Sequence, residues 1–525
     1  MIHSYRLVVR MAITPLLQQW WQELYKTILI NPFLFSSLIV FLLFALNFVK
    51  GGRKLNLPPS PPSLPIIGHL HLPGTLPHRS FRALSQRYGP ILLLKMGRAP
   101  TLVVSSAEIA KEILKTQDVT FSYRVQTRAG KAVLYGGCDL VFSPPGEFWR
   151  QARKISISQL LNLNRVLSFD FVREEEVAGW IENIRAASVD GAPIKLGGLF
   201  VQISSNMISR CVLGRKSENE DDNKRFGELS RSAMDLIGAF CFEDFFPSLG
   251  WIDVLTGFVK RLKNTSEGLD SFLDELIEQH RSFKGNYDQP DKSCFLEILL
   301  KLQREGMMGM DFSQDNVKAI ILNMFMGGTD TTSSTMEWAM AELMKNSTKM
   351  KKAQEEVRRV VGKKSKVDEH DIAQMEYLKC VVKETLRLHP PAPFLVPRES
   401  SRSAKLGGYD IPQKTRVFIN VWAIQRDPNY WDNPEEFLPE RFADNPIDFR
   451  GQDFQFIPFG AGRRGCPGIS FGVMELEGVL ANLLYWFDWK LPIGEELEDF
   501  EMSEVFGLVV HKKIELQLVP VMYSP

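Results

Sequence analysis

Apolar positions recur at three- and four-residue intervals through 107–116, 223–240, 253–283, 315–345, 349–361 and 374–389, and each stretch predicts an amphipathic helix. Shorter β-branched runs lie between and after them: ILLLKM (91–96), TLVVS (101–105), RVFINV (416–421) and KIELQLV (513–519). The turn sequence Gly97-Arg98-Ala99-Pro100 separates the first two runs and predicts a hairpin. No segment repeats, and the strand–helix–strand alternation of parallel α/β folds is absent. The pattern therefore predicts a mainly α fold with small β-sheets (α+β).

Near the N-terminus the periodicity gives way to a continuous apolar run. Ile28 to Val49 contains no charged residue, and its twenty-two residues at about 1.5 Å each span roughly 33 Å, enough for a hydrocarbon core of about 30 Å. A cleaved signal peptide would have a shorter apolar region and a small-residue cleavage site, whereas Lys50, Arg53 and Lys54 follow directly. We expect an N-terminal extension of unassigned role at 1–27, a transmembrane anchor at 28–49, a basic and proline-rich hinge at 50–65, and a catalytic body at 66–525. Arg6, Arg10 and Lys26 before the run nearly balance the cations after it, so charge bias does not orient the span. The hinge carries five prolines in the nine positions 57–65, which forbid a helix and favour an extended spacer.

Composition narrows the function. A formal net charge of +1 excludes broad electrostatic binding of nucleic acid. The six cysteines, at 138, 211, 241, 294, 380 and 466, show no C-x-x-C pairing, which argues against a disulfide framework or a structural zinc site. Five of them read as buried small hydrophobes. Cys466 differs. Gly460, Gly462, Gly465 and Gly468 surround it, Pro467 follows it, and a helical run opens near Ser470. Such a loop can wrap tightly round a sulfur, and a helix N-terminus with Arg464 beside it favours the thiolate. A thiolate held in this way serves as a nucleophile or as a metal ligand.

Phe459-x-x-Gly462-x-Arg464-x-Cys466-x-Gly468 resembles the haem-binding signature of the cytochrome P450 superfamily. The resemblance implies haem b (iron protoporphyrin IX) as cofactor and Cys466 as its proximal iron ligand, with Phe459 and Gly468 shaping the cofactor loop. Gly327 to Thr332, GGTDTT, sits within a long helical pattern against local propensity. By the same resemblance it is the distal oxygen-binding groove, with Thr331 bonding dioxygen and Asp330 helping to deliver protons. Glu384-x-x-Arg387 places a carboxylate and a guanidinium on one helix face; in the family this pair, closed by Arg441 of the PERF segment, is a buried structural network. Trp149 and Arg153 match the family's W-x-x-x-R, and Arg153, Arg464 and Arg398 would meet the haem propionates.

The hinge, the distal motif and PERF together resemble the plant A-type microsomal subgroup. This implies a monooxygenase (EC 1.14 type) that uses O2 and electrons from an NADPH–cytochrome P450 reductase on an apolar small molecule such as a terpenoid, alkaloid or phenylpropanoid. It also implies a single-pass anchor in endoplasmic-reticulum lipid with the body in the cytosol, so that the sequons at Asn264 and Asn346 stay bare. Arg150, Lys154 and Arg463 would offer a basic docking face. Substrate contacts are expected from 121–143, 236–250, 322–331, 393–396 and 505–508. The alternatives are a reductase-independent P450-type isomerase or dehydratase, and a non-catalytic membrane haem-binding protein.

Overall fold

The computed structural model describes residues 36–37, 55–214, 220–282, 294–306 and 312–524. The extension at 1–27 and the anchor at 28–49 fall outside them apart from Ser36 and Ser37; no helix among the described residues is long and apolar enough to cross a membrane. A compact unit runs from Leu57 to Pro525. It starts ahead of the expected boundary at Ile66 because the proline segment is bonded to the body: Leu93 N donates to Pro59 O at 3.0 Å, and the His69 ring meets Pro61 O at 2.9 Å.

The architecture is mainly helical with small sheets. Its principal helices are α1 (Glu147–Ile155), α2 (Asp170–Val189), α3 (Leu196–Leu213), α4 (Glu220–Gly238), α5 (Phe258–Ser282), α6 (Gln314–Lys345), α7 (Ser347–Val361), α8 (Glu376–Leu388) and α9 (Ile469–Trp486). Helix α6 opens on a capping box between Ser313 and Asn316 and runs 32 residues, about 48 Å. Its two halves enter different apolar cores. Val317, Ile320, Ile321 and Phe325 pack with α3, α4 and α5, while Met336, Ala339, Met340 and Leu343 pack with α2, α7, α8 and α9. The GGTDTT step lies between these cores, so packing on both sides holds helical a stretch whose composition opposes it.

The hairpin forms as β1 (Ile91–Met96) and β2 (Ala99–Val104), with only Gly97 and Arg98 in the turn. They continue into a five-stranded mixed sheet through β5 (Arg416–Ile419), β4 (Arg398–Glu399) and β3 (Tyr123–Arg124), in the order β1-β2-β5-β4-β3. A two-residue ladder of β6 (Glu504–Val505) and β7 (His511–Lys512) lies apart from it.

Several expectations need correction. The 253–283 helix is two helices, Trp251–Leu255 and α5, divided at Gly257, whose φ of 74° ends a helix. The last strand is Gln517–Met522 and not 513–519, because Leu516 N turns to a helix carboxylate, Glu337 Oε1 at 2.8 Å. Cys138 is exposed, so four cysteines, not five, are buried packing residues.

Candidate active site

The cysteine loop is shaped by its glycines. Gly462 has φ +70°, and a Cβ there would stand 2.0 Å from Leu114 O, so a side chain is excluded on both counts. Cys466 N donates to Phe459 O at 2.9 Å and Gly465 N to Gly462 O at 3.0 Å, closing the loop on itself. Gly468, the residue before α9, donates its N–H to Cys466 Sγ at 3.3 Å. Cys466 and Phe459 both line a cavity of about 280 Å³ in the body. The surrounding protein pushes the Cys466 thiol up by desolvation even though the residue is exposed to the cavity; the Gly468 N–H and the positive charge of Arg153 pull it back.

The expected cation beside the sulfur, Arg464, acts elsewhere. Its guanidinium donates to the carbonyls of Ser122 and Ser143 and lies 4.0 Å from the centre of the Trp149 ring. The short 3-10 turn at Gly462–Arg464 turns this side chain away from the sulfur and into the protein. Arg153 takes the place nearer the cysteine, donating to Gly465 O at 2.7 Å. Trp149 does not line the cavity: its indole N–H bonds Leu140 O at 3.2 Å and its ring supports Arg464.

Four guanidiniums line the cavity: Arg124, Arg153, Arg398 and Arg464. Arg398 pairs with Asp118 at 3.0 Å, and Asp139 lies near Arg464. Four positive groups thus meet two carboxylates, one of which, Asp139, burial pushes toward its neutral form. A surplus of at least two positive charges remains. Its strain is visible in Arg464, lowered to about 9 by burial and by the fields of Arg398 and Arg153. Arg124, held by the carbonyls of Val141 and Val396, was missed by the sequence reading. A lone arginine in Tyr-Arg-Val carries no pattern of its own.

Helix α6 lines the same cavity. Asn323, Met324, Gly327, Gly328, Thr331, Thr332 and Thr335 face the cavity. A Cβ on Gly328 would stand 2.5 Å from Ile208 Cδ1, so glycine lets α6 and α3 approach. Thr331 Oγ1 donates to Gly327 O at 2.7 Å, and Thr335 Oγ1 to Thr331 O at 2.8 Å, the back-bonding that loosens a helix. Asp330 is not in the cavity lining; its Oδ2 lies 3.3 Å from Nε2 of His511. Apolar walls come from Leu140, Val141, Leu395 and Val396, within two of the expected substrate stretches, and from Ile208 of α3; residues 236–250 and 505–508 are not in the lining.

Behind the site, Arg387 pairs in two-armed fashion with Glu384, both contacts at 2.8 Å and both side chains fully buried. Arg441 Nε adds a third contact to Glu384 Oε1 at 3.0 Å, and Leu438 N a fourth at 2.8 Å. Arg387 also donates to the carbonyls of Gln425 and Pro434, tying α8 to the chain that leads to the cysteine loop.

A glycine-wrapped cysteine, a stretch of the long helix α6 and four arginines thus line one cavity with apolar walls. The family model for cytochrome P450 matches residues 58–518, and the chain belongs to that family. Phenylacetaldehyde oxime monooxygenase of Prunus mume is 51% identical over 528 aligned residues, covering 98% of this chain and 100% of its own. Desmethylyatein synthase of Sinopodophyllum hexandrum is 48% identical over 494 residues (93% and 99%). Tabersonine/lochnericine 19-hydroxylase of Catharanthus roseus is 42% identical over 496 residues (94% and 97%). A zebra fish cytochrome P450 solved with progesterone superimposes with a TM-score of 0.73 at 26% identity, covering 85% of this chain and 99% of its own. The protein is a plant A-type cytochrome P450 monooxygenase, an oxidoreductase that takes haem, O2, electrons from a redox partner and a small-molecule substrate. The arginine ring fits this cofactor, since a surplus of at least two positive charges matches two propionates.

Proposed function

We propose that this P450 is a membrane-anchored monooxygenase that oxidises an apolar plant specialised metabolite, a terpenoid, alkaloid or phenylpropanoid, with electrons from an NADPH–cytochrome P450 reductase. The observation that carries this reading is the cavity itself, whose lining includes both Cys466 and Thr331. Bound through a thiolate, haem supplies O2 activation, because the thiolate's electron push favours O–O cleavage. Cys466 is the donor of that thiolate, and the Gly468 N–H and Arg153 make its charge tolerable. Arg124, Arg153, Arg398 and Arg464, which line the cavity, would hold the propionates, and Trp149 steadies Arg464.

On the distal side the Thr331 hydroxyl gives its hydrogen to the Gly327 carbonyl, which leaves its oxygen to accept a proton relayed to the cavity, and Asp330, next in sequence, supplies that proton. Leu140, Ile208, Met324 and Leu395 exclude water and favour an apolar substrate. The names of the relatives, which concern an aldoxime, desmethylyatein and tabersonine, support a specialised metabolite. Glu384, Arg387 and Arg441 serve folding and haem retention. The segment 28–49 anchors the body at 66–525 to the cytosolic face of the endoplasmic reticulum, with 50–65 as its connection. Arg150 and Arg463, both more than half exposed, and Lys154 receive the acidic reductase.

The test is a substrate panel with the full chain in microsomes containing the reductase, read by mass spectrometry. Oxygenated product that requires NADPH, reductase and O2 together is expected. Conversion without NADPH and reductase would instead establish the isomerase or dehydratase alternative.

A further inference from the structure

Asp330 is joined to a residue 181 positions away that no motif marks. Nε2 of His511, on β7, lies 3.3 Å from Oδ2 of Asp330, and the two side chains are 39% and 26% exposed. The segment carrying His511 is fastened to the same face of α6. Ser334 Oγ donates to Val510 O at 2.7 Å, Trp338 Nε1 reaches the same carbonyl at 3.4 Å, and Glu337 takes Leu516 N at 2.8 Å. Val510 N in turn bonds Pro391 O at 2.9 Å. Residues 330, 334, 337 and 338 share one face, so the backbone of 510–516 runs along it and delivers the imidazole to Asp330.

The position has the features of a relay. The carboxylate sits next in sequence to Thr331, whose residue lines the cavity, while Asp330 itself does not. The imidazole touches that carboxylate on one side and remains partly open to solvent. We propose that His511 is the positioning residue that supplies protons from solvent to Asp330 during oxygen activation. The proposal rests on the reading of Asp330 and Thr331 given above.

Monooxygenation consumes protons: substrate RH, O2, two electrons and two protons yield ROH and water. In each transfer the His511 Nε2–H bond breaks and a proton joins Asp330 Oδ2. The imidazole then regains one from solvent, and no oxidant or reductant is added to those of the established reaction. The charged groups facing the ring favour its protonated form on balance. Asp330 and Glu337 from α6 attract a proton, Arg231 from α4 opposes it, and the strand partner across β6 is the apolar Val505. Burial lowers the basicity of His511, but its bond to Asp330 and the two carboxylates outweigh this and raise its pKa above 6.5.

The test compares wild type, His511→Gln and Asp330→Asn as haem-loaded full-length enzymes. Product formed per NADPH consumed is measured from pH 6 to 8.5, and the imidazole signals are titrated by NMR of 15N-histidine protein in the diamagnetic ferrous–carbonyl state. In wild type, coupling is expected to fall as pH rises past the raised His511 pKa, because the imidazolium is lost. His511→Gln is expected to lower coupled turnover by on the order of ten- to a hundredfold, the range seen for outer partners of reacting groups, and to remove the pH dependence. In Asp330→Asn one imidazole signal, the one missing from His511→Gln, should titrate at lower pH than in wild type. Should His511→Gln not load haem, His511→Lys identifies that signal and is expected to flatten the same pH profile. If Asp330→Asn uncouples while the His511 variant keeps wild-type coupling and pH profile, the relay is overturned and the active-site reading stands. If Asp330→Asn itself leaves coupling unchanged, the active-site reading of Asp330 fails first.

Discussion

Helix α9 begins three residues after Cys466 and carries, in its second turn, a carboxyl group that the fold has isolated. Glu475 is 1% exposed, and its carboxyl oxygens make no well-formed hydrogen bond among the described residues. Burial pushes its pKa up from 4.5 to about 8, against the weaker pull of the Ser204 hydroxyl and the charge of Arg173. Between those two values the folded chain keeps a proton that the unfolded chain has released. Folding stability therefore falls as pH rises through this window, by about 1.4 kcal/mol per unit. From pH 5.5 to 7.0 the loss from this one group is about 2 kcal/mol. Glu475→Gln keeps the shape and removes the ionisation, and with it the slope. Denaturant unfolding of both haem-loaded proteins at the two pH values is the assay. A fixed cost of burying the amide cancels between pH values, so the difference in stability should move by about 2 kcal/mol in favour of Gln at pH 7.0. An offset that stays constant within about 0.5 kcal/mol would refute the reasoning, because Glu475 would then be ionised or solvated in the folded chain.

Arg387→Lys removes the second arm to Glu384 and the bonds to Gln425 O and Pro434 O, and should cost about 3–5 kcal/mol, read as a sharp fall in haem-loaded protein per total protein. Arg124→Gln should leave the fold intact but speed haem loss to an acceptor haem protein, since one of the four cavity guanidiniums is gone. Gly328→Ala places a methyl group 2.5 Å from Ile208 Cδ1 and should weaken substrate binding about tenfold, measured by the substrate-induced haem spectral shift. Adding Ile208→Val should recover most of that loss, because the two side chains compete for one space.

What the sequence reveals is whatever chemistry is compressed into a few consecutive residues. The Cys466 loop, GGTDTT and Glu384-x-x-Arg387 are local patterns, and the structure brings the first two into the lining of one cavity. The hairpin at 91–104 is legible for the same reason, since a turn and two short apolar runs are contiguous. What escaped depends on contacts between distant segments. Arg124 joins the cavity ring through carbonyls at 141 and 396, and His511 reaches Asp330 across 181 positions. Arg464 does not stand beside the sulfur, because proximity in sequence to Cys466 does not fix the direction of a side chain; its guanidinium goes to Ser122 and Ser143, and Arg153 bonds the loop at Gly465. The proline segment reads as an extended spacer from its composition, and composition does not reveal that its carbonyls are acceptors for β1 and for His69.

The central claim is that Cys466, at the cavity wall, is the thiolate on which the chemistry depends. The most direct measurement is the ferrous–carbon monoxide difference spectrum of wild type and Cys466→Ala at matched haem content. Wild type is predicted to show the long-wavelength Soret band of a thiolate-ligated carbonyl haem, and the variant to lack it entirely. The same band in Cys466→Ala would mean that another sulfur holds the iron, and the account of the site would be wrong.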